Sequence, residues 1–424
     1  MTILLIVVVP VILLVMGVPI FVMLMAAALG GIMLSGNPIH AIHSAMFGNL
    51  DIFPLLAVPL FIYAGDIMSR GGIARRLIEL ILSLVGAVRG ALGIATIAAC
   101  EVFSVMSGSS VACVAAIGKL TIPALKKNGY GDTFSVSLVT ATGVIDVITP
   151  PSITMIIYGI AAQQSVPQLF LAGFPAGILI GIALAIYVVW YARVEKIPIT
   201  PRAKRKDIVT HLKDSIWSLL APIVILGGIY GGLFTPTEAA GVACIYAIVI
   251  SMFVYREITW QQLWVITVDS AALIAQVLII VSAAGAFAWL ITTSGFPSRL
   301  IAFVDQLALT TWMLLIVINV ILLFVGSVLE PPAAILLLTP LLNPIVYAAG
   351  IDPIHFGIIF TVNLAIGMFM PPFGLNLFAS HALFGTPLPQ LYRGVLPFLA
   401  IYLVMLLVIT YVPAITLAPL ALLR

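Results

Sequence analysis

The sequence predicts an all-α polytopic membrane protein built on a repeat of two re-entrant helical hairpins and two broken helices. Three observations predict it. Of 424 residues, 63% are hydrophobic and only 8% charged, and the mean hydropathy is +1.27, whereas a soluble domain is about 25% charged. Apolar runs of roughly 20 residues, enough to cross a bilayer as a helix, recur with room for roughly 10 to 12 of them. The alternating pattern of a β-barrel is absent. Finally, polar, Gly- and Pro-broken stretches interrupt the apolar segments at matching places in the two halves.

The first copy opens at Ser104 to Ser110, runs apolar to Pro123 and breaks again from Thr142 to Ser152 around Pro150 and Pro151. The second opens at Gly326 to Pro332, runs apolar to Pro340 and breaks from Asn363 to Asn376 around Pro371 and Pro372. Gly108 stands 15 residues before Pro123, and Gly326 stands 14 before Pro340. Gly129 and Gly350 each precede a Pro-Pro pair by 21 residues, and the pairs are 221 apart (371−150). In hydrocarbon an unpaired backbone group costs several kcal/mol, so such breaks persist only where they are buried in protein or line a cavity. Paired broken helices in two halves point to a transporter binding site near the bilayer midplane.

Taken in order, Met1 to Leu34 reads as a membrane segment rather than a cleavable signal, because it lacks a basic start. Ser35 to Asp51 reads as a polar loop, and Pro54 to Gly65 as too short to span alone. From Ile73 to Val88, apolar residues at helical spacing (Ile73, Leu77, Leu80, Ile81, Leu84) with Arg75, Arg76 and Glu79 nearby predict an interfacial helix. Arg89 and Lys126/Lys127 flank the first hairpin, which places its base on the cytoplasmic side. Leu169 to Tyr191 is a full span. Arg193 to Lys213 is the most basic soluble stretch; it is short and lacks interleaved aromatics, which argues against nucleic acid. Thr235-Pro236-Thr237-Glu238 is a capping box with Pro at the first helical position. Segments follow at Ala239–Tyr255 and Leu263–Thr293, then the second repeat from about Pro297 to Phe384, and a last span from Pro397 to Tyr411.

The tip hydroxyls Ser107, Ser109 and Ser110 have no histidine nearby in sequence to activate them, so a hydrolase is disfavoured. Coordination of a small hard cation by hydroxyls, unwound carbonyls and helix ends fits better. The Pro-Pro pairs bar helix before them and expose the carbonyls of Asp146 to Thr149 and Gly367 to Met370, an all-oxygen cage without charge. Asp146 is an intramembrane acid and by default a functional candidate, and Glu330 at the second tip is similar. Glu101, Asp269 and Asp305 are expected to pair with polar or basic neighbours at helix ends. Cys100, Cys113 and Cys244 lie in apolar segments and read as small buried hydrophobes without metal spacing.

At these residues the chain resembles the large membrane subunit of TRAP transporters, the tripartite ATP-independent periplasmic carriers of organic acids. The resemblance rests on Pro59 to Gly65 with Gly72 to Leu77, Ser107-Gly108-Ser109-Ser110-Val111-Ala112, Gly228 to Ala240, Gly350 to Gly357, and Pro371-Pro372-Phe373-Gly374-Leu375-Asn376. It implies an inverted-repeat elevator-type ion-transporter fold and a multi-pass protein of the bacterial inner membrane. Its parts would be N-terminal scaffold spans with an interfacial arm helix (1–89), a first transport repeat (90–165), scaffold spans with a basic cytoplasmic loop at 193–213 (166–295), a second transport repeat (296–385) and a C-terminal span (386–424). It further implies Na⁺ as coupling ion with no organic cofactor, and an organic-acid substrate. A small membrane subunit and a periplasmic substrate-binding protein would be its partners, besides membrane lipid.

Carried over by position, one Na⁺ site comprises Ser107, Ser110, Asp146, Thr149 and Pro150. The other comprises Gly326, Gly367, Met370 and Phe373. Substrate lies between the tips, near Gly108, Ser109, Ser110, Pro151 and Asn376. Against the family pattern, Asp146 stands where glycine is common, Met370 where threonine is common and Cys113 where an acid is common. These departures imply a weaker second site and, at the first, either a strengthened site or a different ion, with Asp146 adding charge to the cage or carrying a proton.

Overall fold

The computed structural model describes residues 8–35, 38, 40–84, 86, 88–199 and 204–423. The first seven residues of the opening run, Arg202 of the basic stretch and Arg424 lie outside them. Among the described residues the secondary structure is entirely helical. Seven single helices are long and apolar enough to cross a membrane, and two bent pairs would bring the number to nine. That is below the roughly 10 to 12 expected from hydropathy, because much of the apolar sequence is spent on half-length helices: Ala91–Ser107, Pro353–Gly367 and Leu375–Phe384 are each 10 to 17 residues long.

Each repeat is a hairpin followed by a broken helix. The first hairpin has arms Ala91–Ser107 and Ser110–Lys127. Its broken helix runs Asp132–Thr142, Ile145–Ile148 and, beyond the Pro-Pro break, Ile153–Ala161. The second hairpin has arms Thr311–Val328 and Pro331–Ala348, and its broken helix runs Pro353–Gly367 and Leu375–Phe384. Both hairpins turn into their broken helix through a left-handed glycine, Gly129 (φ +90°) and Gly350 (φ +70°). In each, the next amide reaches back to close the helix end, Tyr130 N to Leu125 O at 3.1 Å and Ile351 N to Val346 O at 3.1 Å, a Schellman closure that only glycine accommodates without cost.

The 221-residue offset holds throughout the repeat, which corrects the tip alignment read from glycines. Arm ends Ser107 and Val328, N-caps Ser109 and Glu330, and the helix-interior prolines Pro123 and Pro344 are all 221 apart. Gly326 is therefore not the mate of Gly108, nor Pro340 that of Pro123; Gly326 lies inside its arm, two residues before the end at Val328.

The 29-residue helix Val166–Val194, about 43 Å long at 1.5 Å per residue, shows that the two hairpins are inverted. The base of the first hairpin packs at its C-terminal end, where a Cβ on Gly90 would lie 3.3 Å from Val189 Cα. The base of the second packs just before its N-terminal end: Tyr347 OH donates to Ala162 O at 3.3 Å and Tyr158 OH to Pro353 O at 2.9 Å. The break of the first repeat meets the middle of the helix, at Gly173 and Gly177. This helix packs on both repeats and on the last long helix, Leu388–Tyr411, which begins nine residues before the span expected from Pro397.

The remaining helices form a second layer. The stretch read as a polar loop contains the helix His40–Leu50, which lies along Trp260–Thr293. Small residues let the two touch: a Cβ on Gly285 would fall 2.6 Å from Ala45 O, and Asn49 donates to Val281 O at 3.3 Å. Pro54–Gly65 proves part of a longer helical segment, Phe53–Arg70, of span length. The amphipathic helix Ile73–Leu84 is present, but its apolar residues Ile73, Leu77 and Leu80 are buried against the protein, largely against Ala91–Ser107. Its basic side is fastened by Glu257, which pairs with Arg75 and Arg76 at 2.6 Å each, while the Arg76 guanidinium lies 3.8 Å over the Tyr255 ring. The capping box at Thr235 forms as expected, with Thr235 N donating to Glu238 Oε2 at 2.8 Å and Glu238 N to Thr235 Oγ1 at 3.3 Å.

Candidate functional site

At the first tip the arm Ala91–Ser107 ends on Ser107, Gly108 turns the chain in the left-handed region (φ +59°), and Ser109 caps the second arm by accepting from Ala112 N at 3.4 Å. Ser107 Oγ donates to Asp146 Oδ1 at 2.7 Å. Asp146 is fully buried, and its Oδ2 has no hydrogen-bond partner. The tip of the hairpin is thus seated on the broken helix of its own repeat through a carboxylate. Pro150 and Pro151 are buried behind it, and Ser152 Oγ donates to Val147 O at 2.6 Å.

Thr149 does not face Ser107. Its hydroxyl donates to Glu101 Oε2 at 2.9 Å. Glu101 thus has the polar neighbour expected for it, at the end of the short helix Ile145–Ile148, although Glu101 itself sits within the arm Ala91–Ser107, and its Oε1 is buried without a partner. Sequence reasoning missed it as a site residue. The signal was available, since an acid inside an apolar segment is a functional candidate by default. Asp269 does pair as expected, with Arg70 at 2.7 Å.

The second repeat seats its hairpin by backbone contact. A Cβ on Gly367 would overlap Gly326 C and O, and one on Gly326 would lie 3.1 Å from Leu364 Cα. The carbonyls expected to be free are partly used: Gly367 O accepts from Met370 N at 3.2 Å, Met368 O from Asn376 N at 2.8 Å and Met370 O from Gly374 N at 3.0 Å. The break curls on itself because prolines end the helix but the following amides still need acceptors. Each such carbonyl keeps a second lone pair. The Phe373 side chain points away from the break and is 58% exposed.

The repeats meet at Ser110. Its hydroxyl donates to Asn376 Oδ1 at 3.1 Å and lies 3.5 Å from Met368 Sδ, so the third serine of the first tip serves the second break, not Asp146. Thr140 and Ser380 hydroxyls join the two broken helices at 2.6 Å. Ser109 and Glu330, equivalent caps, are both exposed at their tips. None of these hydroxyls is bonded to a histidine: His355 is bonded to Thr416 and Thr410, and His381 to Thr386, so the constellation of a serine nucleophile and its base is not assembled.

Carboxylate oxygens stand at the first break, while hydroxyl, amide and carbonyl oxygens stand at the second. No group of three His, Cys, Asp or Glu side chains converges among the described residues. Hard oxygen donors of this kind suit a hard cation.

The family model for the DctM component of the tripartite ATP-independent periplasmic transporters matches residues 6–415. The chain belongs to this family. It is 40% identical to the C4-dicarboxylate TRAP transporter large permease protein DctM of Pseudomonas aeruginosa, over 93% of this chain and 92% of that one. It is 41% identical to the isethionate TRAP transporter permease protein DctMQ of Oleidesulfovibrio alaskensis, covering 92% of this chain and 62% of that longer protein. The fold also matches the YdaH transporter of Alcanivorax borkumensis, with a TM-score of 0.67 over 88% of each chain at 15% sequence identity. As a large TRAP permease, the chain is a multi-pass membrane transport protein.

Proposed function

We propose that this large TRAP permease imports a small organic anion, coupled to Na⁺ entry, from a periplasmic binding protein and together with a small membrane subunit. The observation that carries the reading is the pair of inverted hairpin tips seated on two broken helices, with a buried, unpartnered Asp146 oxygen beside the first tip. Cation positions lie at Ser107, Asp146, Thr149 and Pro150 in the first repeat, and at Gly326, Gly367, Met370 and Phe373, through their backbone, in the second. The anion lies between the tips near Gly108, Ser109, Ser110, Pro151 and Asn376. The relatives' substrates, a C4-dicarboxylate and isethionate by name, are both small anions, which supports this class.

Val166–Val194 and Leu388–Tyr411 pack on both repeats; in this reading they travel with them as one unit, an elevator, past the layer that contains Phe53–Arg70 and Trp260–Thr293, whose contacts with the hairpin arms Ala91–Ser107 and Pro331–Ala348 would be the sliding surface. The energetics suffice. One charge moving down 100 mV yields about 2.3 kcal/mol, so two surplus positive charges support an accumulation of more than about a thousandfold.

The test is uptake into proteoliposomes containing the chain and its small membrane subunit, with the loaded binding protein outside. Uptake that requires both the binding protein and an inward Na⁺ gradient is expected. Uptake indifferent to the binding protein would turn the reading into that of a stand-alone Na⁺/dicarboxylate symporter, and uptake driven by a proton gradient alone would overturn Na⁺ coupling.

A further inference from the structure

The structure assigns Glu101 a cation position of its own, beside Thr149 and separate from the one at Asp146. The inference rests on the Na⁺ reading above and extends it. Glu101 projects from the middle of the first hairpin arm towards Val166–Val194, where two glycines leave it room. A Cβ on Gly181 would lie 2.6 Å from Glu101 Oε1, and one on Gly177 would lie 2.6 Å from Thr149 Oγ1 and 3.6 Å from Glu101 Oε2. One carboxylate oxygen is held by the Thr149 hydroxyl. The other, Oε1, is buried and has no donor.

The ion pairs among the described residues involve Arg70, Arg75, Arg76 and Lys126, and none reaches Glu101 or Asp146. An ionised carboxylate at this depth needs a positive partner, the alternative being protonation. The two carboxylates have different partners: Asp146 is bonded to the tip at Ser107, whereas Glu101 meets Thr149 from the side of the long helix. Thr149 caps the short helix that carries Asp146 and bonds Glu101, so with a hydroxyl oxygen and a carbonyl it can serve both positions.

The second repeat shows what the first has added. At the 221-residue offset the mates of Glu101, Asp146 and Thr149 are Leu322, Gly367 and Met370. The second break carries none of this charge. The extra cation therefore belongs to the first half-site, and the ligand class is a small monovalent cation bound by oxygen.

The experiment measures ²²Na⁺ binding, and Na⁺-dependent melting, of the purified chain in detergent at one fixed pH, with choline as the replacing cation. Glu101→Gln keeps an acceptor for Thr149 but no charge. It should bind about one Na⁺ fewer per chain than the unmodified protein, with a melting temperature in choline no lower than that protein's. Gly181→Ala keeps the charge but crowds Oε1, and should raise the Na⁺ concentration for half-maximal melting shift about tenfold or more. Should Glu101→Gln not fold, Gly181→Ala decides alone. Unaltered Na⁺ stoichiometry and half-saturation in these variants, with normal Na⁺ binding by the unmodified chain, would overturn the Glu101 assignment and leave Na⁺ coupling standing. An unmodified chain that binds no Na⁺ would overturn both.

Discussion

Gly367 is the position at which the seat of the second hairpin can be tested with a single methyl group. Gly367→Ala would drive a Cβ into the carbonyl carbon and oxygen of Gly326 and within 2.6 Å of the Ser327 amide nitrogen. These are backbone atoms of the hairpin arm, so relief requires the arm itself to move. Overpacking of this kind costs about 1–3 kcal/mol, and the upper part of the range is expected because no side chain can rotate away. Gly241→Ala is the matched control. Gly241 lies inside the helix Pro236–Val249, and a Cβ there would meet nothing within 4 Å, so the substitution should stabilise by about 0.5–1 kcal/mol through helix propensity alone. The two variants, melted side by side in the same detergent, should differ by about 2–4 kcal/mol in opposite directions from the parent. A Gly367→Ala protein that melts at or above Gly241→Ala would refute the close backbone seat.

Three further predictions follow from individual contacts. Ser107→Ala removes the 2.7 Å donor to buried Asp146; at about 1–2 kcal/mol, the half-saturating Na⁺ for uptake should rise roughly 5- to 30-fold, and an unchanged value would contradict Ser107 as a cation ligand. Glu257→Ala frees Arg75 and Arg76; the pairs are partly exposed, so only about 1 kcal/mol is expected, read as faster amide exchange across Ile73–Leu84. Thr235→Ala deletes the capping box and should lower stability by about 1 kcal/mol, measured by thermal melting, with no shift in half-saturating Na⁺.

Much of this architecture is legible in the sequence because the signals are local. Gly, Pro and Ser inside apolar runs mark tips and breaks wherever hydrocarbon forbids open backbone, and Gly129 and Gly350 mark the hairpin ends through their left-handed conformation. What was misread depends on tertiary contact. Gly326 looks like a tip glycine, but its role is to admit Gly367 across the hairpin. His40, His43, Ser44 and Asn49 make a helix look like a loop, yet Ala45 and Asn49 are what Gly285 of the long helix packs against. Glu101 gains its meaning from Thr149, 48 residues further on, and from glycines further still. Ser110 reads as a partner of Ser107, but its hydroxyl points to Asn376, 266 residues away.

The central claim is that two hairpins enter from opposite faces and bring their tips to one site. Lys127 and Ala348 end the second arms of the two hairpins, are 221 residues apart and are both exposed. With the three buried native cysteines replaced by alanine, Lys127→Cys and Ala348→Cys would each be treated with a membrane-impermeant maleimide in right-side-out and in inverted vesicles. The account predicts that position 127 reacts only from the cytoplasmic face and position 348 only from the periplasmic face. Labelling of both from the same face would contradict it.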